Sequence, residues 1–161
     1  MRILGIDCGT VTTGYGVIET DGVRHRLIEA GAIRTNTKGP LEARLLEIAT
    51  GLRALLDRCH PEAVAVEEVF YSANAQSAFK LAHARGAALL VLAESGLKVA
   101  SYSPAEVKGS VTGSGNADKS QIQFMLPSLL DLAEAPASPD ACDALAVAIC
   151  HAVHLPAEAL R

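Results

Sequence analysis

The chain has 161 residues, half of them apolar, with 14 Lys and Arg against 18 Asp and Glu for a formal net charge of −4. That length fits one domain over residues 1–161 with a core of its own. No apolar run approaches the roughly 18 to 20 residues of a membrane span, so the expectation is a cytoplasmic protein. The acidic balance argues against a broadly basic nucleic-acid surface. Its distribution is uneven, however: Lys80, Arg85, Lys98, Lys108 and Lys119 outnumber Glu94, Glu106 and Asp118 across residues 70–119.

In chain order, RILGID (2–7) is a branched apolar run that predicts a buried strand. TGYGVIET (13–20) and VRHRLIEAGAI (23–33) flank Asp21-Gly22, a hairpin signal, so the first three strands form an antiparallel meander. Leu41, Leu45, Ile48, Leu52 and Leu55 recur at helical spacing from Gly39-Pro40 to Cys59, where His60-Pro61 ends the helix. EAVAVEEVF (62–70) predicts a second buried strand, an Ala-rich helix spans about 74–95, and Leu97 to Tyr102 gives another strand. Ser103 caps a short helix through 111 with Pro104 in its first turn, and GSGNAD (113–118) is a loop. KSQIQFMLPSLLDL (119–132) is helical with a kink or break expected at Pro127, and ACDALAVAICHAV (141–153) is the last helix. Strands in a meander followed by strand and helix alternation imply an α/β fold, a mixed sheet with helices on both faces.

The acids are informative by position. Asp7 ends the first strand, and of Glu67 and Glu68 only one can face the same side as Asp7, because side chains alternate along a strand. Asp140 and Asp143 are three apart on the last helix and share a face. Asp140 alone fits a helix-dipole role. Asp143 does not: Ala146, Val147 and Cys150 continue its stripe, and a carboxylate on a buried stripe requires a cation. Few cationic residues lie near it in sequence. If these acids converge, their repulsion raises their pKa values or a divalent ion neutralises them, and oxygen-only ligation suits Mg²⁺ or Mn²⁺. Two such ions serve phosphodiester hydrolysis.

Four cysteines, Cys8, Cys59, Cys142 and Cys150, form no CxxC pair and read as reduced, packed thiols. His151 and His154 lack a third ligand in sequence and read as surface histidines at a helix end.

Taken together, IDCGTVTTGYGVI, AVEEVF (65–70), LAHARG (81–86), PAEVKGSVTGSGNADKSQIQFM (104–125) and DACDALAVAICH (140–151) resemble the RuvC family of Holliday junction resolvases, in order and over nearly the whole chain. The resemblance implies a ribonuclease H-like fold with a five-stranded mixed sheet, working as a homodimer. It implies nicking of two strands of a four-way DNA junction with Mg²⁺ or Mn²⁺, two ions per site, alongside the branch-migration proteins RuvA and RuvB. The catalytic and metal-binding acids it implies are Asp7, Glu67, Asp140 and Asp143. Lys108 and Lys119 match basic residues near the scissile phosphate or DNA backbone, and Phe70 an aromatic that stacks on bases at the junction centre. Asn74, Lys80 and Arg85 join these as expected DNA contacts. The Ala-rich helix, with Ala75, Ala78, Ala82 and Leu89, is either core or a dimer seam. Cys8 departs from the family, which commonly has Pro there, and points to sensitivity to oxidation or soft metals.

Three other readings compete. The glycines at 9, 14 and 16 fit the phosphate loop of actin and sugar-kinase domains, but two such domains must close over ATP and no GxxxxGK[ST] is present. A YqgF-like nuclease acting on RNA shares the first motif without the later ones. A non-catalytic junction-binding module would not retain all four acids.

Overall fold

The computed structural model describes residues 1–68 and 75–156. Its elements are β1 (Arg2–Asp7), β2 (Thr12–Thr20), β3 (His25–Arg34), α1 (Leu41–Cys59), β4 (Ala63–Glu67), α2 (Ala75–Glu94), β5 (Val99–Tyr102), α3 (Pro104–Thr112), α4 (Lys119–Leu130) and α5 (Pro139–His154). The strands form one sheet in the order β3-β2-β1-β4-β5. β1 pairs antiparallel with β2 and β2 with β3, while β4 runs parallel to both β1 and β5. The meander and mixed sheet expected from the sequence are both present. No helix among the described residues is long and apolar enough to cross a membrane.

Alternation along the strands divides the core in two. Ile3, Ile18 and Ala65 point to one face, where α5 lies with α3 and α4 packed around it. Leu4, Ile6, Val17, Val64 and Val66 point to the other, under α1 and α2. The hairpin turn forms as its sequence predicts. Asp21 Oδ1 accepts from the amides of Val23 and Arg24 at 2.9 and 2.8 Å, and Gly22 takes φ 95°.

α5 is buried nearly all round, from Ala141 to Ala152, which is why its sequence reads as apolar on every side. It can lie this close to the sheet because the strands beneath it lack side chains. A Cβ on Gly5 would strike the Ala144 carbonyl, one on Gly14 the Asp140 carbonyl, and one on Gly16 the Leu145 side chain. Gly5 pairs with Gly16 and Asp7 with Gly14 across β1 and β2, so these positions make a single trough. The glycines near the N-terminus therefore seat a helix.

Several boundaries differ from expectation. α5 begins two residues earlier, with Ser138 as its cap and Pro139 and Asp140 in its first turn. β4 is Ala63–Glu67 with Glu68 outside it, residues 69–70 of the expected strand lie outside the described residues, and β5 starts at Val99 rather than 97. Pro127 neither breaks nor ends α4, which continues to Leu130. Buried Leu126 and Leu130 hold the helix down on either side of it, so burial offsets the one lost backbone bond. Ser103 caps α3 as predicted, with Glu106 completing a reciprocal capping box.

Candidate active site

β1 and β4 run side by side in register Leu4↔Val64, Gly5↔Ala65 and Ile6↔Val66, so each strand's next residue is a carboxylate, Asp7 and Glu67. Both share the parity of Gly5 and Ala65, the face that carries α5. Glu68 points the other way, is exposed, and donates its amide to the Tyr102 carbonyl at 2.9 Å. Register and alternation thus place Glu67, and not Glu68, on the face of Asp7.

Asp7, Glu67 and Asp143 line one cleft of about 210 Å³ together with Lys108 and Lys119, with Val107 and Ile122 on its apolar wall. Asp140 stands outside that lining. Its backbone rests on Gly14, the strand partner of Asp7, which puts the N-terminal turn of α5 beside the cluster.

The electrostatics follow from crowding acids in a half-buried cleft. Burial, followed by the charges of Asp143 and Asp140, pushes the Asp7 carboxyl up to about 6 despite an opposing pull from Lys119. Burial, then Asp7 and Asp143, pushes Glu67 up to about 7, again opposed by Lys119 and Lys108. The Asp143 side chain is 15 % exposed and forms an ion pair with Lys119 Nζ. That ion pair supplies a cation to the buried stripe, from beyond its neighbourhood in sequence. The partner lies 24 residues away, at the start of α4, and its hydrogen bond to Asp143 raises the Lys119 pKa.

Among the described residues, no three His, Cys, Asp or Glu side chains are gathered tightly enough to hold an ion in their present positions. The donor chemistry nonetheless fits a hard divalent cation. Oxygen donors from Asp7, Glu67 and Asp143 face one space, burial and then mutual repulsion raise the pKa values of Asp7 and Glu67, and the Lys119 ammonium opposes that rise.

The remaining expected site residues divide. Lys108 and Lys119 face the cleft. Lys80 is exposed on α2, across the sheet from it. Arg85 lies on that same far side, where its guanidinium donates to Ser101 Oγ at 2.9 Å and its buried Nε has no hydrogen-bond partner. Phe70 and Asn74 lie outside the described residues.

Cys8 packs on the α1 and α2 side, and burial with the neighbouring Asp7 pushes its thiol up to about 12. A thiol held protonated is the unreactive form, which removes the reason to expect ready oxidation. In the β1–β2 loop, Thr13 Oγ1 donates to the Gly9 carbonyl at 2.8 Å, and the Thr10 carbonyl accepts from Thr35 Oγ1 and Arg44 at 2.6 Å each. These bonds tie the loop to Thr35 at the end of β3 and to Arg44 of α1.

His151 is also corrected. It is 8 % exposed, not a surface residue, and its Nδ1 shares a 2.8 Å hydrogen bond with the Tyr102 hydroxyl. Sequence reading missed Tyr102 altogether. The available signal was the spacing of Asp143, Val147 and His151, one stripe of α5 with polar residues at both ends.

The family profile described as "Crossover junction endodeoxyribonuclease RuvC" matches residues 3–151. A protein of that description from Desulforamulus reducens is 51 % identical over 152 residues, 94 % of this chain and 93 % of its own length. One from Koribacter versatilis is 48 % identical over 152 residues, 94 % of this chain and 92 % of its own. Among solved structures, T. thermophilus RuvC in complex with Holliday junction substrate aligns with TM-score 0.90 at 36 % identity, covering 96 % of this chain and 94 % of that one. The yeast mitochondrial Holliday junction resolvase Ydc2 aligns at TM-score 0.65 with 13 % identity, a likeness of fold. The five-stranded arrangement is the ribonuclease H-like one of these proteins.

Proposed function

The chain belongs to the RuvC family of crossover junction endodeoxyribonucleases, and from that we propose that Asp7, Glu67, Asp140 and Asp143 form its nuclease centre. The protein is a Holliday junction resolvase, a metal-dependent nuclease acting on four-way DNA junctions in recombination and repair. The observation that carries the assignment of the centre is the meeting of Asp7, Glu67 and Asp143 with Lys108 and Lys119 in one cleft.

In this reading Asp7, Glu67 and Asp143 hold the ions and Asp140, in the adjoining turn, completes the set. Mg²⁺ or Mn²⁺, two per site and held by these carboxylates, would supply water activation and a counter-charge for the leaving oxygen. The chain's own residues do the rest. Asp7 and Glu67 shed protons to become ligands, which their raised pKa values make sensitive to pH near neutrality. Lys119 exchanges Asp143 for the scissile phosphate, and Lys108 meets the same strand from α3. Phe70 and Asn74 keep their proposed role at the junction DNA, and Lys80 and Arg85 become the weaker candidates.

Two nicks in one junction imply two centres, and a C₂ homodimer is the simplest way to provide them. The supporting surface is α2, whose Ala84, Ala88, Val91 and Leu92 face the core while Phe79 and Leu90 remain 67 % and 60 % exposed. Ala75, Ala82 and Gly86 are exposed on the same helix, which favours a seam over a core role for its outer face. RuvA and RuvB follow as partners from the family resemblance.

The test is a labelled synthetic four-way junction incubated with protein and Mg²⁺ or Mn²⁺, with products resolved at nucleotide resolution. Paired symmetric nicks are expected, reduced by at least about 100-fold in Asp7→Asn while junction binding persists. Tight binding by the wild type without nicking in either metal would overturn the nuclease centre. Preferential cleavage of RNA would favour the YqgF-like alternative.

A further inference from the structure

We infer that the hydrogen bond between Tyr102 and His151 is a positioning device for the carboxylate cluster, fixing the height of α5 against the strands that carry the acids. The inference rests on the reading of that cluster as the nuclease centre.

Three placements support it. Tyr102 is the strand partner of Glu67, so its side chain rises from the sheet beside a proposed ligand and on the same face. His151 lies eight residues beyond Asp143 on α5. That is about 12 Å along one stripe of the helix. The bond of 2.8 Å therefore ties α5, which carries Asp143, to β5, the strand paired with the one that carries Glu67. Tyr102 also leads directly into Ser103, the cap of α3, which carries Lys108 into the cleft. One residue thus links α5 and α3, two elements that supply cleft residues, from the strand beside Glu67.

The rest of the α5 seat explains why such a pin is useful. Ala144 and Ala148 lie over Gly5, and the Asp140 backbone over Gly14. Small groups packed on small groups give close approach but little directional preference along the helix axis, whereas a hydrogen bond between two ring-borne groups has a defined length and angle. The His154 ring also lies against the phenol, its centroid 5.0 Å from that of Tyr102. His154 is itself tied to the Cys150 carbonyl at 2.8 Å. At the opposite end of the stripe, Asp143 is tied to Lys119. α5 is pinned at both ends, and the lower pin is free of any charge that metal or DNA would displace.

The experiment compares wild type, Tyr102→Phe, His151→Leu, the double variant and His151→Gln, well below their melting temperatures. Tyr102→Phe keeps the ring and removes only the hydroxyl. Its nicking rate at saturating junction is expected to fall by roughly 10-fold to 100-fold, with a higher magnesium requirement. Its junction dissociation constant should stay within about twofold. In metal-free protein, amide exchange over residues 140–147 should quicken. His151→Leu should show the same loss, the double variant no further loss, and His151→Gln, which restores a hydrogen-bonding side chain, a partial recovery.

A Tyr102→Phe protein that melts lower but keeps wild-type rate, magnesium requirement and exchange would overturn the proposal and leave the bond merely structural. Should that variant fail to fold, equal rates in His151→Gln and His151→Leu would overturn it instead. A wild type that does not nick would sink the nuclease centre itself, a result distinct from either.

Discussion

Asp7 and Glu67 set the behaviour of the centre toward protons. Their folded pKa values, about 6 and about 7, stand above the ordinary 3.8 and 4.5, so the folded state binds protons more tightly than the unfolded chain. What these groups contribute to stability is complete below their unfolded values, near pH 4, and is lost as pH rises through 6 and 7. Without metal at pH 8, both are charged and crowded against Asp143. Asp7→Asn should therefore melt above wild type at pH 8 in chelator, by roughly 2 to 4 °C for each kcal/mol of strain relieved. The gap should close toward pH 4, and also on adding Mg²⁺, which stabilises only the wild-type cluster. Calorimetry across that pH range checks it, and a wild type that melts higher at pH 8 would contradict it. Lys119 lowers both pKa values, so Lys119→Met should move the acid limb of the rate–pH profile upward as well as slow nicking. An unshifted limb would mean that Lys119 does not couple to the carboxylates. Alternation told from the chain that only one of Glu67 and Glu68 could join Asp7, and the register of β1 with β4 makes it Glu67. Nothing local announced the pairing of Lys119 with Asp143, because a contact across 24 residues depends on how α4 docks against α5.

Among the elements, α5 governs whether there is a site. It brings Asp140 and Asp143 to strands that already hold Asp7 and Glu67, and it reaches them only because Gly5, Gly14 and Gly16 leave room. Gly5→Ala places a methyl group against the Ala144 carbonyl and the Ala148 amide, both backbone atoms inside a buried helix. Overpacking of this kind costs about 1–3 kcal/mol. The expected result is a lower melting temperature together with a disproportionate loss of nicking, since the displaced helix carries ligands. Ala→Gly exchanges on the exposed end of α2 offer a control of similar size away from the site. A Gly5→Ala variant with full activity would show that α5 tolerates a shift. Helices and strands were readable from periodicity because that signal is local. The behaviour of Pro127 was not, since the burial of Leu126 and Leu130 on α5 keeps α4 continuous around it.

For the whole molecule, a net charge of −4 sits beside DNA binding without contradiction, because acids collected in the cleft are neutralised there while Lys108 and Lys119 face the same space. With few basic contacts per subunit, junction affinity should fall only modestly with salt, and Lys108→Ala should flatten that dependence by about one phosphate's worth per subunit. Binding isotherms over a salt series test this, and an unchanged slope would remove Lys108 from the DNA contact. The outer face of α2 makes a second prediction at this scale. Sedimentation should give a dimer for the wild type, and Leu90→Glu, which places a charge on the exposed apolar side, should give a folded monomer. A variant that remains dimeric would move the seam elsewhere.

By itself the sequence determined the order and type of the elements, the alternation that sends Asp7 and Glu67 to one face, and the ordered motifs that mark the family. These are properties of neighbours along the chain, fixed by strand and helix periods and by turn chemistry. Tertiary structure decided what the glycines near the N-terminus are for, where Asp143 finds its cation, and that His151 is a buried partner of Tyr102. Each of those depends on which surfaces come within a few ångströms after α5 settles into its trough, and no local pattern encodes that distance.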